Sequence, residues 1–322
     1  MQRFGANLKR AQEAPKNIPA GELAGMLCCD DQGAWNEAFA VAREIKRRYG
    51  REETLVRGLV ETSNICAKDC CYCGIRRSNR VLPRYRMEIA EVEECLARSR
   101  LAGISASAFQ GGEIESEENT AYYEEILGQC RDLEVTLSLG EQHESVYRRW
   151  KQAGALRYLL RIETSNRELY RRLHPQGCSF DRRVECIRTL KSLGYITGSG
   201  VMIGLPGQTA DDLAADIVFF GDLDVDMVGM GPWIEHPAAR LAGDAPDPAR
   251  AFVLSLRMIA LARLYLHCVN IVSSTALAAL GGMDGTRLGI DAGANVVMPN
   301  FTPCRYRESY DLYPGKSCTQ IR

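Results

Sequence analysis

Short apolar segments alternate with longer amphipathic segments from about residue 55 to the end of the chain, and this alternation strongly constrains the fold. The apolar segments have the length of buried strands, and most of the segments between them have helical spacing. The predicted strands are 55–62, 104–109, 135–139, 157–162, 198–203, 227–230, 269–272 and 295–298. The predicted helices between them are 88–102, 118–133, 144–153, 182–193, 211–223 and 248–266. Strands that alternate with helices predict an α/β fold with a parallel sheet, and eight such units match a closed TIM-type (β/α)8 barrel.

The chain is expected to divide into an N-terminal helical extension, residues 1–50, and a barrel core, residues 51–322, which includes the C-terminal tail. Within the extension, residues 22–27 and 32–49 show the apolar spacing of helices. The stretch 276–291, before the last predicted strand, is rich in glycine and is the least regular link. The sequence contains no internal repeat, low-complexity segment or linker that would divide it further.

Cys66, Cys70 and Cys73 directly follow the first predicted strand with the spacing C-x3-C-x2-C. Four Cys thiolates normally hold a [4Fe–4S] cluster, so three ligands would leave one iron without a protein ligand. An open coordination position distinguishes a catalytic metal site from a closed structural one. The alternatives are a zinc site, which usually has two separated ligand pairs, or a set of buried thiols. Cys71 also permits other registers, and we interpret it as a non-ligand.

The composition excludes several classes of protein. The 322 residues are 46% hydrophobic and 25% charged, which is ordinary for a globular protein. A formal net charge of −1 gives no indication of a nucleic-acid partner or a membrane surface. Thirteen cysteines in a chain of this length favour a reducing compartment over a disulfide framework. No segment has the apolar character of a signal peptide or a membrane span, so the sequence predicts a cytoplasmic protein.

Polar residues follow most of the predicted strands, at the end where (β/α)8 barrels carry their catalytic residues. Gly111, Gly112 and Glu113 follow the second strand, where glycines let the backbone approach a ligand and a carboxylate suits an ammonium group. The alternative is a tight turn with an exposed acid.

Arg161 and Glu163 lie two residues apart and are expected to face the barrel interior, where they suit a carboxylate, a ribose or an ammonium group. The alternative for these two residues is a buried ion pair.

Two further positions have weaker signals. Arg183 begins a predicted helix, and its residue type alone favours a solvated helix position. The segment Gly-Leu-Pro-Gly at 204–207 lacks the signature of a phosphate loop, and we interpret its backbone and Leu205 as a surface for an adenine ring. The four histidines are scattered along the chain, which favours structural roles over metal ligation.

The cysteine spacing, Tyr72 before the last cysteine and Gly74 after it resemble the radical S-adenosylmethionine (SAM) superfamily. Several other segments resemble the HydE family of [FeFe]-hydrogenase maturases. These segments include Cys-Tyr-Cys-Gly-Ile-Arg (71–76), Val-Thr-Leu-Ser-Leu-Gly-Glu (135–141), Arg-Tyr-Leu-Leu-Arg-Ile-Glu (157–163), Met-Ile-Gly-Leu-Pro-Gly-Gln-Thr (202–209) and Leu-Tyr-Pro-Gly-Lys (312–316). The resemblance runs from about residue 20 to the end of the chain.

The resemblance implies a [4Fe–4S] cluster and SAM as cofactors, with reductive cleavage of SAM to methionine and a 5′-deoxyadenosyl radical. The implied cluster ligands are Cys66, Cys70 and Cys73. The implied SAM-binding residues are Ser138, Arg161, Glu163 and Arg183, together with Tyr72, Gly111, Gly112, Glu113 and Leu205. The resemblance also implies a substrate cavity lower in the barrel, with Arg157, Ser274, Thr275, Tyr310 and Tyr313 at matching lining positions.

HydE-type enzymes act on an organometallic iron–cysteine complex that carries CO and cyanide. The resemblance therefore implies this substrate, a reductant such as ferredoxin or flavodoxin, and other hydrogenase maturases as partners. The alternatives are a lysine mutase similar to methylornithine synthase, a related enzyme with another substrate, and a non-enzymatic iron–sulfur electron-transfer module.

Two positions depart from the family pattern. Ile162 stands where many members have a histidine, and only Cys318 matches a second C-terminal cluster, so we expect none.

Overall fold

The computed structural model describes residues 2–241 and 247–316, and its centre is a sheet of short parallel strands. The strands are β1 (Leu55–Val56), β2 (Gly58–Ser63), β3 (Ala106–Gly111), β4 (Glu134–Ser138), β5 (Ala155–Leu159), β6 (Ile196–Ser199), β7 (Met202–Ile203), β8 (Met227–Pro232), β9 (Asn270–Ser273) and β10 (Val296–Val297). Their order in the sheet is β1-β10-β9-β8-β6-β5-β4-β3-β2, with β7 paired to β8.

Strands β1 and β2 are two halves of one extended segment, and this segment closes the sheet into a barrel. Leu55 in β1 pairs with Val296 of β10, whereas Gly58 in β2 pairs with Ser107 of β3. A further parallel bridge joins Leu59 to the segment that follows β10. Because β6 and β7 also divide one stretch of chain, the strands fill eight positions around the barrel. The predicted (β/α)8 fold is confirmed.

Helices surround the barrel in the described residues. They are α1 (Gln2–Glu13), α2 (Ala20–Leu27), α3 (Gln32–Arg48), α4 (Ile89–Leu101), α5 (Glu117–Gly128), α6 (Glu144–Ala153), α7 (Arg167–Leu173), α8 (Phe180–Ser192), α9 (Ala210–Asp222), α10 (Pro248–Leu266), α11 (Thr275–Ala292) and α12 (Cys304–Arg307). Every predicted helix is present, although the one predicted to end at residue 133 ends at Gly128.

Helices α7, α11 and α12 were not predicted, α1 lies in the expected helical extension without individual bounds, and α11 occupies the glycine-rich link 276–291. The Ser274 hydroxyl caps its first turn. Gly282 has a φ of 58° and kinks the helix. Gly289 lies so close to β9 that a Cβ there would stand 2.3 Å from Ser273 Oγ. The glycines that obscured the helical pattern therefore serve the kink and the close packing of this helix.

Two strands differ from their predicted bounds in a way that affects the candidate site. Strand β5 ends at Leu159 rather than at residue 162, so Arg161 and Glu163 lie beyond the strand. The predicted strand 198–203 is divided into β6 and β7. Between them, a Cβ at Gly200 would stand 2.0 Å from the carbonyl oxygen of Gly229, so the chain there lies directly against β8.

Side chains along the strands alternate between the helices and the barrel lumen. Val60, Phe109, Leu137, Tyr158 and Val228 are buried in the core that includes the helices. The alternate positions face the lumen; they include Arg57, Leu59, Glu61, Ala108, Gln110, Thr136, Ser138, Arg157, Leu159, Gly198, Gly229 and Gly231. Charged residues therefore lie at both ends of the lumen, and glycines line one side of it.

The N-terminal helices pack on the outer layer of the barrel. Helix α2 contacts α9, and α3 contacts α10. Trp35 of α3 is 1% exposed, and Phe4 of α1 packs edge-on against it at a centroid distance of 5.4 Å. The division of the chain at residue 50 stays a prediction. Among the described helices, none combines the length and the apolar composition that a membrane crossing requires.

Candidate active site

The loop after β2 carries the three predicted cluster ligands at the carboxyl end of the barrel. The Ala67 N–H donates to Glu113 O at 2.8 Å, and the Cys73 N–H donates to Cys70 O at 3.3 Å. Burial raises the pKa of Cys66 and of Cys70, and it raises the pKa of Cys73 to about 12. The neighbouring cysteines contribute to the pKa shifts of Cys70 and Cys73. The three thiols are therefore close enough to interact electrostatically.

Cys71 has a different environment from the three predicted ligands. Its side chain packs against an apolar cluster that includes Leu173. Its N–H donates to Leu173 O at 2.8 Å, and its carbonyl accepts from the N–H of Arg240 at 2.7 Å. These contacts support the C-x3-C-x2-C register, in which Cys71 is not a ligand.

The thiols suit a cluster better than a single metal ion. Within residues 2–241 and 247–316, no three His, Cys, Asp or Glu side chains are placed to coordinate one ion. The thiolates of a [4Fe–4S] cluster bind different iron atoms, so they lie further apart than the ligands of a single ion do. The three cysteines on one loop therefore fit three corners of such a cluster.

The turn formed by Gly111, Gly112 and Glu113 lies directly against the cysteine loop. A Cβ at Gly112 would stand 2.1 Å from Ile65 O and 2.8 Å from Cys66 Cβ, so a larger residue would displace the loop. The Glu113 side chain is buried, and its carboxylate is 2.9 Å from Lys68 Nζ. The alternative of an exposed acid at this turn is therefore wrong.

Arg183 is the centre of a buried charge network. Its Nε is 2.6 Å from Glu141 Oε1, and its Nη2 is 3.9 Å from Glu113 Oε2. Burial alone would lower the pKa of Arg183, but Glu141 and Glu113 raise it well above the usual value. Burial also raises the pKa of Glu113, an effect that Arg183 and Lys68 oppose. The interpretation of Arg183 as a solvated helix residue is wrong.

Lys68 and Glu141 belong to this network but were not among the predicted site residues. Lys68 lies between two of the cysteines, and Glu141 ends the segment 135–141 that resembles the HydE family. The sequence did contain one signal for them, since each follows a predicted strand at the end where barrel sites lie. Their charges alone did not distinguish them from ordinary surface residues.

Arg161 and Glu163 form a bidentate ion pair at the carboxyl end of the barrel, with Nε and Nη2 at 3.0 and 2.9 Å from the carboxylate. Glu163 has a φ of 68°, a backbone conformation that residues other than glycine adopt infrequently. Its N–H donates to Gly200 O at 2.9 Å, and its carbonyl accepts from the Met202 N–H at 3.1 Å. The ion pair considered as an alternative is therefore present, and a ligand role for the two residues stays a proposal.

Leu205 and Tyr72 lie in one apolar cluster beside the cysteine loop. Leu205 is buried, and Tyr72 and Cys71 pack against the cluster from its edge. Trp233 belongs to the cluster, and His174 packs edge-on against Tyr72 at 5.6 Å. Among the described residues, Trp233 Nε1 and His174 Nε2 are buried without a hydrogen-bond partner. Because buried polar atoms are normally satisfied, they indicate space for a ligand that has both apolar and polar parts.

Ser138 and Ile162 lie on opposite sides of the barrel wall. Ser138 ends β4 on the lumen side and pairs in register with Gln110 of β3. Ile162 is completely buried in the core that includes the helices. The residue that departs from the family pattern therefore does not line the lumen. Cys318 lies outside the described residues.

The sequence model of the Radical SAM superfamily matches residues 60–220 of this chain. That range contains the three cysteines, the glycine turn, the Arg161–Glu163 pair and Arg183. The chain belongs to the radical SAM superfamily. As a radical SAM enzyme, it uses a [4Fe–4S] cluster and SAM, and the buried charges and unpartnered polar atoms described above fit such a ligand.

Two relatives and one solved structure show the similarity in more detail. The [FeFe] hydrogenase maturase subunit HydE of Thermotoga maritima is 46% identical over 309 residues, which cover 92% of this chain and 84% of that protein. The 3-methylornithine synthase of Methanosarcina barkeri is 25% identical over 291 residues, 88% and 79% of the two chains. The crystal structure of methylornithine synthase (PylB) aligns with a TM-score of 0.81 at 23% identity, covers 91% and 85%, and shows the shared fold.

In this radical SAM enzyme, most of the predicted substrate residues lie near the top of the lumen. The Thr275 and Tyr313 hydroxyls are 2.6 Å apart. Tyr310 is buried, and its carbonyl accepts from Lys316 Nζ at 2.9 Å. Lys316 also pairs with Glu61, which the sequence analysis did not predict. Ser274 lies beside them as the cap of α11, and a Cβ at Gly231 would stand 2.3 Å from its hydroxyl.

Arg157 lies apart from this group, near the amino end of β5. Its Nη2 is 2.7 Å from Glu134 Oε2 at the start of β4. It precedes Arg161 by four residues, or about 13 Å along an extended chain. Among the described residues, Arg157 Nε and Nη1 are buried without a hydrogen-bond partner. Arg57 interacts electrostatically with Arg157, so two guanidinium groups lie at the lower end of the lumen.

Proposed function

We propose that this radical SAM enzyme acts in [FeFe]-hydrogenase maturation as HydE does. The observation that carries this proposal is the 46% identity to HydE of Thermotoga maritima over 92% of the chain. An alignment over 92% of the chain extends far beyond the cysteine loop. The proposed substrate is the iron–cysteine complex with CO and cyanide ligands that the resemblance implies.

Cys66, Cys70 and Cys73 are the proposed cluster ligands, and the cluster and SAM supply a one-electron reductive cleavage that yields a 5′-deoxyadenosyl radical. The acidic residues Glu113 and Glu163 suit the ammonium group or the ribose diol of SAM.

The other predicted cofactor residues complete the proposed SAM site. Arg161 and Arg183 suit the carboxylate of SAM, because a guanidinium binds a carboxylate in a bidentate geometry. Ser138 offers a hydroxyl from the end of β4. Leu205 and Tyr72 supply an apolar wall that excludes water from the adenine side. Opening the Arg161–Glu163 pair would let each charge bind a different group of SAM.

The lower lumen suits an anionic substrate group. Burial and the nearby charge of Arg157 together lower the pKa of Arg57 to about 10, so the two guanidinium groups are close and desolvated. Glu134 neutralises one charge of the pair. A desolvated cation is costly unless it is paired, so this end of the lumen favours a bound anion. At the upper end, Thr275 and Tyr313 offer hydroxyls for polar ligands of the substrate.

A lysine mutase activity is the second candidate, and one observation favours it. Glu61 pairs with Lys316 through Oε1, but its Oε2 is buried without a hydrogen-bond partner among the described residues, so one carboxylate oxygen could accept from an ammonium group. Arg57 and Arg157 would then hold the α-carboxylate of lysine. The overall fold, which is shared with methylornithine synthase, permits this alternative.

We place the enzyme in the cytoplasm, with ferredoxin or flavodoxin as reductant and with other hydrogenase maturases as partners. The thirteen cysteines and the need for a reduced cluster support this location.

The first experiment tests the enzyme class. The anaerobically reconstituted protein, reduced with dithionite, is expected to convert SAM to 5′-deoxyadenosine. Cys70→Ala should abolish the cluster absorbance and the cleavage, and the matched variant Cys71→Ala should retain both. Absence of 5′-deoxyadenosine from the wild type would leave the electron-transfer module as the better interpretation.

The second experiment tests the substrate. The reduced enzyme receives SAM with either the iron–cysteine dicarbonyl cyanide complex or lysine. Consumption of the iron complex by the wild type, together with no consumption by Arg157→Met, would support the HydE-type role. Turnover of lysine with the iron complex unchanged would favour the mutase.

A further inference from the structure

Residues 75–86 form a loop that lies directly against the cysteine loop and contains five arginines but no acidic residue. The Arg77 N–H donates to Lys68 O at 2.8 Å, and Asn79 Nδ2 donates to Gly74 O at 2.7 Å. The Arg84 guanidinium donates to four backbone carbonyls around the loop. The loop is therefore held firmly beside the cluster ligands.

The outer side of this loop carries positive charge that is not neutralised. Arg77 and Arg80 are exposed, and among the described residues no carboxylate lies within ion-pair distance of either. Val81, next to them, is 92% exposed. Arg240 is 63% exposed at its side chain and donates its N–H to Cys71 O. We call Arg77, Arg80, Val81 and Arg240 the basic surface.

Two acidic side chains of the described residues near this region, Asp69 and Asp311, are already paired. Asp69 lies 3.4 Å from Arg76 Nε and 3.7 Å from Arg240 Nη1. Asp311 accepts from His236 at 2.7 Å. Because one carboxylate is shared by two guanidinium groups, the surface beside the cysteine loop stays positive overall.

Many arginines on the outer helices differ from Arg77 and Arg80 of the basic surface, because a nearby carboxylate neutralises each of them. Examples are Arg47 with Glu44, Arg148 with Glu144, Arg171 with Glu168 and Arg287 with Asp284. The whole chain has a net charge of only −1, so the basic surface is a local feature and does not reflect an overall excess of positive charge.

We propose that the basic surface is the docking site for a small acidic electron-carrier protein, which transfers one electron to the cluster. This inference rests on the proposed cluster ligands. In the step, the reduced carrier loses one electron, the cluster gains it, and no bond or proton is involved. The loops that carry Arg77 and Arg240 bond directly to the cysteine loop, so a carrier bound there approaches the cluster closely.

The physical basis is charge complementarity with a small apolar contact. Opposite charges raise the rate of encounter by about 10- to 1000-fold, and salt screens this effect. Transient redox complexes bury little surface, so a few arginines around one exposed valine suffice. A nucleic acid is the other polyanion that such a surface could attract, but four residues on a chain of net charge −1 form a small footprint for it.

The test compares two reductants in the full reconstituted enzyme. The variant R77E/R80E keeps the backbone bonds of the loop and reverses two exposed charges. The matched control R131E/R188E makes the same charge change on exposed arginines toward the amino ends of the strands. The rate of 5′-deoxyadenosine formation is measured with dithionite, and separately with pre-reduced flavodoxin and pre-reduced ferredoxin, between low and high salt.

We expect R77E/R80E to match the wild type with dithionite, and to lose about tenfold or more in kcat/KM for at least one carrier at low salt. The control should behave as the wild type with every reductant, and the deficit of R77E/R80E should shrink at high salt.

Three results would overturn the proposal: an equal loss of rate with dithionite and with the carriers, an equal loss of rate in the control, or no loss of rate with either carrier. Loss of nucleic-acid binding in R77E/R80E with unchanged carrier-driven rates would also overturn it. A wild type inactive with dithionite would contradict the proposed function itself.

Discussion

Glu163 combines a constrained backbone with a charged side chain that the structure turns toward Arg161. Its left-handed φ of 68° is held by backbone bonds to Gly200 and Met202, so the backbone that carries the carboxylate is fixed. Such backbone constraint is commonly found at functional sites. The backbone position of Glu163 is therefore determined by its neighbours.

Replacing Glu163 by Gln should weaken SAM binding with little effect on folding. Losing one charge-assisted hydrogen bond costs about 1.5–3 kcal/mol, or about ten- to a hundredfold in affinity. Calorimetric titration of the anaerobic enzyme with SAM measures this change. The matched control is Glu168→Gln on the surface of α7, which should bind SAM as the wild type does. An unchanged affinity in Glu163→Gln would remove this residue from the SAM site.

Asp216 of α9 supports the turn that follows Glu163. Its Oδ1 accepts from both the N–H and the hydroxyl of Ser165 at 2.6 Å. Burial raises its pKa to about 7, although the bonds from Ser165 oppose the shift. The folded protein therefore holds the proton more tightly than the unfolded chain does, and stability falls as the pH rises from about 4 to about 7.

Asp216→Asn should remove this pH dependence, because an amide oxygen accepts the same two bonds and does not ionise. The variant should gain stability relative to the wild type between pH 5 and pH 7, by at most about 1.4 kcal/mol per pH unit. Urea unfolding of both proteins at several pH values measures the difference. A constant difference across this range would show that Asp216 does not titrate there.

At the scale of elements, residues 309–316 form a strap that lies against the cysteine loop. The Gly74 N–H donates to Leu312 O at 3.2 Å, and Asn64 Nδ2 donates to Ser309 O at 2.6 Å. Asp311 pairs with His236, and Lys316 pairs with Glu61 inside the lumen. The strap therefore covers part of the barrel mouth and contributes Tyr310 and Tyr313 to it.

The Glu61–Lys316 pair should be energetically coupled, because Glu61 is 1% exposed. Removing one partner leaves a buried charge without its counterion, which typically costs about 3–5 kcal/mol. Glu61→Gln and Lys316→Met should each lower the free energy of unfolding, and the double variant should lose less than the sum. Denaturant unfolding of the four proteins gives the coupling energy. Strict additivity would show that the two charges act independently.

At the scale of the whole molecule, glycines occupy several inward positions on the side of β6 and β8, and most of them are closely packed. A Cβ at Gly198, Gly200 or Gly231 would stand between 2.0 and 2.8 Å from its nearest neighbour. A Cβ at Gly229 would meet only Leu159, at 3.7 Å. Gly229 is therefore the position in this group where a side chain fits the fold and occupies the lumen.

Gly229→Val should preserve SAM cleavage within a few-fold and lower substrate turnover by more than about tenfold, because the valine fills lumen space and suits a strand. Gly229→Ala should have a smaller effect in the same direction. The ratio of substrate consumed to 5′-deoxyadenosine formed measures the uncoupling. Normal turnover in Gly229→Val would place the substrate elsewhere in the lumen.

The barrel was predictable from the sequence because strands and helices in a parallel α/β fold have different apolar periods and lengths. The cysteine spacing likewise specified a cluster site, since all three residues lie on one loop. Helix α11 was not predictable in the same way, because its glycines serve a kink and close contacts with β9 and α10 that no local pattern records. The ends of β5 were also misplaced, since an apolar segment continues past the point where the strand stops.

The sequence by itself determined the eight-strand barrel, the cysteine loop and the end of the barrel at which the polar residues gather. Only the tertiary structure decided which charges are neutralised. It buried Arg183 between Glu141 and Glu113, turned Arg161 onto Glu163, placed Lys316 on Glu61 and left Arg77 and Arg80 exposed. The reason is physical: periodicity depends on neighbours along the chain, whereas the burial and pairing of a charge depend on residues that are far apart in sequence and meet only in the folded barrel.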